Sequence, residues 1–124
     1  MSHRVFLAAV LALGVNACAP PPPPTDPRIV MTPDLPLVAD APSVTASAGL
    51  ICVTLRLMNG TPQDLPILTI TDWFDEQGRP IWSLMSAPMR LTVPRDGDAM
   101  IDRLAPRPSA ISFRIHIEPD WAAY

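Results

Sequence analysis

The 124-residue sequence contains no lysine. Its nine cations are all arginine, spaced singly, against twelve acidic residues, and the net charge is −3. Tracking nucleic-acid phosphates requires a Lys/Arg-rich face, so no nucleic-acid partner is expected. Histidine is almost as scarce: after Cys18 only His116 remains. One histidine without a cysteine pair supplies too few of the usual zinc ligands, and a hydrolytic triad would need that same residue plus a nucleophile and an acid. Neither a Gly-x-Ser-x-Gly elbow nor a GxxxxGK loop occurs. No apolar run reaches the ~20 residues that span a bilayer as a helix. After Cys18 no helical periodicity is strong.

Proline is abundant where these residues are scarce. There are 17, and nine of them fall between Pro20 and Pro42. Ahead of them, Arg4 precedes eleven uncharged apolar residues, Val5–Val15. This fits the hydrophobic region of a signal peptide. Val15-Asn16-Ala17-Cys18 resembles the lipobox of bacterial lipoproteins. That resemblance implies that Cys18 becomes the mature N-terminus and carries a diacylglyceryl thioether and an N-acyl chain. More than one acyl chain gives a lasting anchor. Ala19 resembles the sorting signal for the outer membrane, with the periplasmic face of the inner membrane as the alternative. Acylation of Cys18 leaves Cys52 as a free thiol, read as a small apolar strand residue.

The reading divides the chain into four parts: a signal peptide (1–17), a lipidated cysteine and proline-rich tether (18–48), a β-sandwich domain (49–119) and a tail (120–124). Proline lacks a backbone donor, so strands are not expected in the tether, except for a weak edge strand at Leu35–Val38. Within the domain, Leu50–Met58 alternates: Ile51, Val53, Leu55 and Leu57 take one face and more polar residues the other. Asn59-Gly60 is read as a turn with positive φ. Further strands are expected at Leu65–Phe74, Arg79–Leu84, Met89–Val93, Asp98–Leu104 and Ala110–Ile117. Asp75 and Gly78 form the turn of the Phe74–Arg79 hairpin. Six short strands at roughly 10-residue spacing predict an all-β fold, a small antiparallel sandwich.

Among chemistry-bearing residues, Asp75, Glu76, Asp96 and Asp98 stand where turns use acids. Asp72 lies inside a strand, and an inward orientation would require a partner such as arginine. Arg114 is expected to pair with an acid across the sheet. Met85 and Met89 with His116 could offer a Cu(I) site, the signature of a periplasmic copper-binding carrier. No resident cofactor is otherwise expected.

Several pieces occur in a fixed order. They are Val53-x-Leu55-x-Leu57-x-Asn59-x-Thr61, Asp72-Trp73-Phe74-Asp75-Glu76-Gln77-Gly78, Leu91-x-Val93-Pro94, and Leu104-Ala105-Pro106 with Ala110-x-x-Phe113-Arg114-Ile115. Together they resemble the YcfL-like family of bacterial envelope lipoproteins. The resemblance implies an immunoglobulin-like sandwich at the envelope and no catalytic residues. The expected role is a non-catalytic adaptor or assembly component of the envelope, with a secretion apparatus as a special case. Its partners would be the bilayer, through Cys18, and another envelope protein. Partner contact is expected at Trp73, Phe74, Trp121 and Tyr124.

Overall fold

The computed structural model describes residues 26–123. The signal-peptide reading, acylated Cys18, Pro20–Pro24 and Tyr124 lie outside them. Nine strands build two sheets: β1 (Ile29–Met31), β2 (Leu37–Ala39), β3 (Ser43–Ser47), β4 (Leu50–Asn59), β5 (Leu65–Phe74), β6 (Pro80–Ile81), β7 (Met89–Val93), β8 (Gly97–Leu104) and β9 (Ser112–Pro119). The all-β expectation is met.

In the smaller sheet β4 is central. Along one edge it pairs with β8 from Cys52 to Asn59. Along the other it pairs first with β3 and then with β2, an edge interrupted at residues 40–42. In the larger sheet β5 pairs with β9 on one side, and with β6 and β7 in succession on the other. The outer side of β9 takes β1, in parallel.

The inward residues follow the period-2 alternation. Val53, Leu55 and Leu57 of β4 meet Ile67 and Trp73 of β5 and Ile115 and Ile117 of β9, all at 0–1% exposure. The Trp73 and Phe113 rings, cross-strand partners, lie 6.0 Å apart and tilted by 57°, a separation at which aromatic pairs attract. Five of the expected strands appear within a few residues of their expected limits. Arg79–Leu84 does not persist as a strand. After Ile81 the chain leaves the sheet for a one-turn 3₁₀ helix, Leu84–Ser86. Ile111, within the expected strand Ala110–Ile117, precedes β9 and is exposed.

The boundary at Gly49 is corrected. Ala48 (φ 52) and Gly49 (φ 77) are the two central residues of the hairpin joining β3 to β4, with Ser47 opposite Leu50. Paired positive φ values match the twist of the strands and favour glycine. Residues 29–47, read as tether, therefore belong to the sandwich, and Ile29 and Leu37 are buried in its core. Proline did not prevent this. Pro33, Pro36 and Pro42 fall between the strands, where no ladder donor is needed.

Candidate functional site

The two ends of the sandwich present different chemistry. At one end, the β4–β5 and β7–β8 connections meet on Asn59, which is 2% exposed. Its Nδ2 donates to the carbonyls of Gln63 (2.7 Å) and Val93 (3.1 Å). Its Oδ1 accepts from the Thr61 N–H (2.9 Å) and hydroxyl (2.7 Å). Asn59 is thus a clamp at the end of β4. Neither it nor Gly60 adopts the positive φ expected of them; Asp96 does, at 48°. Asp64 reinforces this end by accepting from the Arg95 N–H at 2.9 Å, which holds its carboxyl below the usual carboxylate range.

At the opposite end lie the first described residues, the β5–β6 hairpin and the β8–β9 connection. Asp26 Oδ1 accepts from Arg28 Nε and Asp26 Oδ2 from the Arg28 Nη2, at 3.0 and 2.7 Å. The Asp26 carboxyl is held below its ordinary pKa by these bonds. The Arg28 guanidinium stacks 4.8 Å over the Phe113 ring. Arg114 lies 5.7 Å over Phe74 and so takes an aromatic face, although its cross-strand neighbour is Asp72. Asp72 itself faces outward, with its Oδ2 3.1 Å from His116 Nε2. An open cleft of about 400 Å³ runs between Arg28, Phe74, Ser112 and Arg114. Asp75 behaves as the sequence implies, its carboxylate capping the Gln77 and Arg79 N–H groups at 2.9 Å each, with Gly78 at φ 76.

The expected site residues separate in this frame. Trp73 faces the core at 1% exposure and offers nothing to a partner. Phe74 is half-buried on the outer face. Trp121 is 76% exposed in a one-turn helix after β9, at the Asn59 end. The copper set does not assemble. Met89 pairs with inward Thr69 and packs on the core, whereas His116 pairs with Ile70 on the outer face, so the two lie on opposite sides of one sheet. Ser112 is on the face of His116 but four residues away along an extended strand, about 13 Å. Among the described residues no cluster of three His, Cys, Asp or Glu could hold a metal ion.

The sequence did not point to two features. Arg103, opposite Val53, faces inward, and its Nε and one Nη are buried without a hydrogen-bond partner. Burial lowers its pKa. Trp82 and Leu84, between β6 and β7, are 84% and 96% exposed. Their apolar character was legible, but a loop there was not, because Arg79–Leu84 reads as strand.

Comparison with known proteins places this architecture. No curated protein matches the chain. The structure is similar to that of Campylobacter jejuni cj0090, at 17% identity and a TM-score of 0.65, covering 75% of this chain and 98% of that one. It is also similar to a DUF1425 family member from Shewanella sp. pv-4, at 16% identity and a TM-score of 0.61, covering 65% and 75%. At such identities the likeness is one of fold. Residues 35–119, from just before β2 to the end of β9, match the family described as protein of unknown function (DUF1425), and with most of its sandwich inside that match the chain belongs to this family.

Proposed function

We propose that this chain is a lipid-anchored protein of the bacterial envelope, held at the periplasmic face of the outer membrane by acylated Cys18. Its sandwich serves as a non-catalytic adaptor that accepts an extended strand from another envelope protein. The observation that carries the adaptor reading is the outer edge of β8. Among the described residues β8 pairs only with β4. It runs eight residues without proline or interruption. The other edges are short or broken: β1 has three residues, β2 and β3 are separated at residues 40–42, and β6 and β7 by the 3₁₀ turn. A continuous free edge is the template for strand addition, because alternate residues turn their backbone N–H and C=O groups outward. The acids of β8 lean back over β4. Asp102 accepts from the Thr54 hydroxyl at 2.8 Å and Asp98 from Arg56 Nε at 2.6 Å. Met100 between them is left 56% exposed.

The lipid anchor is carried by the sequence around Cys18. Cys18→Ser is expected to release the protein from membranes and remove the acyl mass. For the adaptor, a photo-crosslinking residue at Met100 in whole cells is expected to give a reproducible protein adduct. The same residue at Val38, equally exposed on the interrupted edge, is expected to give none. Absence of any adduct from Met100 in cells where Cys18 is acylated counts against the adaptor.

A further inference from the structure

The end of the sandwich where the described chain begins, together with the adjoining β6–β7 edge beside residues 70–72 of β5, combines exposed apolar side chains with arginines. Three segments bring these together. The β6–β7 connection presents Trp82 and Leu84, and Ser83 Oγ caps its turn by accepting from the Met85 N–H at 3.0 Å. The β8–β9 connection contributes Ile111, 52% exposed, whose N–H donates to the Phe74 carbonyl at 3.0 Å. It also contributes Arg107, whose guanidinium donates to the Trp82 carbonyl at 3.5 Å. The β5–β6 hairpin adds Arg79, and β9 adds Arg114. None of these three exposed arginines makes an ion pair among the described residues. The acids toward this end are largely committed: Asp26 to Arg28, Asp75 to its own hairpin, Asp72 to His116 and Asp102 to the Thr54 hydroxyl. Glu76 remains at the hairpin tip. The opposite end carries Asp34, Asp64, Asp96, Glu118 and Asp120 against Arg90 and Arg95, so the charge of the domain is polarised.

Chain length fixes which end can meet the membrane. Seven residues separate Cys18 from Asp26, and a fully extended chain of that length reaches at most about 30 Å. A ten-residue strand such as β5 is itself ~33 Å long. The anchor thus enters at the arginine-rich end and cannot hold the domain further from the bilayer than the domain's own length. We propose that this end lies against an anionic phospholipid surface, with Trp82, Leu84 and Ile111 in the headgroup boundary and Arg79, Arg107 and Arg114 on lipid phosphates. Tryptophan is suited to that boundary, having an apolar body and a polar N–H. The inference rests on the anchored reading of Cys18.

The experiment uses the full mature chain in vesicles of phosphatidylcholine, alone or mixed with phosphatidylglycerol, with brominated lipids as quenchers of tryptophan fluorescence. Quenching is expected in Trp121→Phe, which keeps Trp82, and is expected to be lost in Trp82→Phe. Trp121, at the far end, serves as the internal control. In the Cys18→Ser chain, affinity for the phosphatidylglycerol vesicles is expected to fall about fivefold for each of Arg79→Gln, Arg107→Gln and Arg114→Gln. The mass of the Cys18 peptide reports separately on the anchor. Acylated Cys18 with Trp82 unquenched overturns the membrane-facing end and leaves the anchor standing. An unmodified Cys18 removes the anchor on which the inference rests. Protection of Trp82 by an envelope protein, or by a dimer that Trp82→Ala dissolves, also overturns it.

Discussion

At the Asn59 end of the sandwich, polar atoms are matched to polar atoms. One buried amide ties two connections, Asp64 holds the β7–β8 turn, and Thr61 accepts the N–H of Asp96 through its carbonyl at 3.0 Å. At the Trp82 end Trp82, Leu84 and Ile111 point outward, and three arginines make no ion pair among the described residues. Both ends are made of loops between the same strands, so strand geometry does not impose the contrast. An end that satisfies its own donors and acceptors contributes to stability. An end that leaves apolar area and charge exposed gains little for folding and has much to offer a surface.

If the comparison holds, removing the Asn59 side chain has the largest effect. Asn59→Ala strips partners from two carbonyls and the Thr61 N–H, and is expected to lower unfolding stability by about 3 kcal/mol, measured by urea denaturation. A loss of only a few tenths would show that this end is not the stabilising one. Arg103 sharpens the contrast from inside the opposite end. Arg103→Met keeps the length of the side chain and removes buried, unpartnered N–H groups, so it is expected to raise stability by about 1 kcal/mol. A lower melting temperature would mean that the guanidinium is satisfied in solution. The smallest effect belongs to Asp26. Its folded pKa is depressed, chiefly by its side-chain bonds to Arg28, so its contribution is present above the unfolded value near 4 and fades as pH falls through the folded one. The advantage of the wild type over Asp26→Asn is expected to stay under about 1 kcal/mol above pH ~4. It should vanish on further acidification, as read from melting temperatures across a pH series.

The long strands were legible because each buries one face and exposes the other. Leu65–Phe74 and Met89–Val93 have the limits their alternation implies. Of the first three strands only β2 was anticipated, by the edge strand expected at Leu35–Val38, and the others were hidden for different reasons. In β3 every residue is exposed, so no apolar period exists to read. β1 has three residues, and the prolines around it resemble a linker. Asn59-Gly60 has the composition of a turn, yet the amide is used as a buried hydrogen-bonding hub, a role set by Gln63 and Val93 from other parts of the chain. The Trp82 end shares that limitation. Its residues come from separate segments, and only the fold makes them neighbours. Average charge concealed the polarity, since a net −3 says nothing of how arginines and acids divide between two ends.

The place of β9 in the larger sheet has a consequence in time. Among the described residues it is the last strand, and it lies between β1, the first, and β5. A chain that emerges from a ribosome or a translocation channel N-terminus first therefore has no middle to that sheet until residues 112–119 are out. Every earlier intermediate lacks the strand that joins β1 to the rest, and loop closure across nearly the whole domain must precede the final gain. The order of strands thus makes the joining of β1 to the larger sheet wait for residues 112–119.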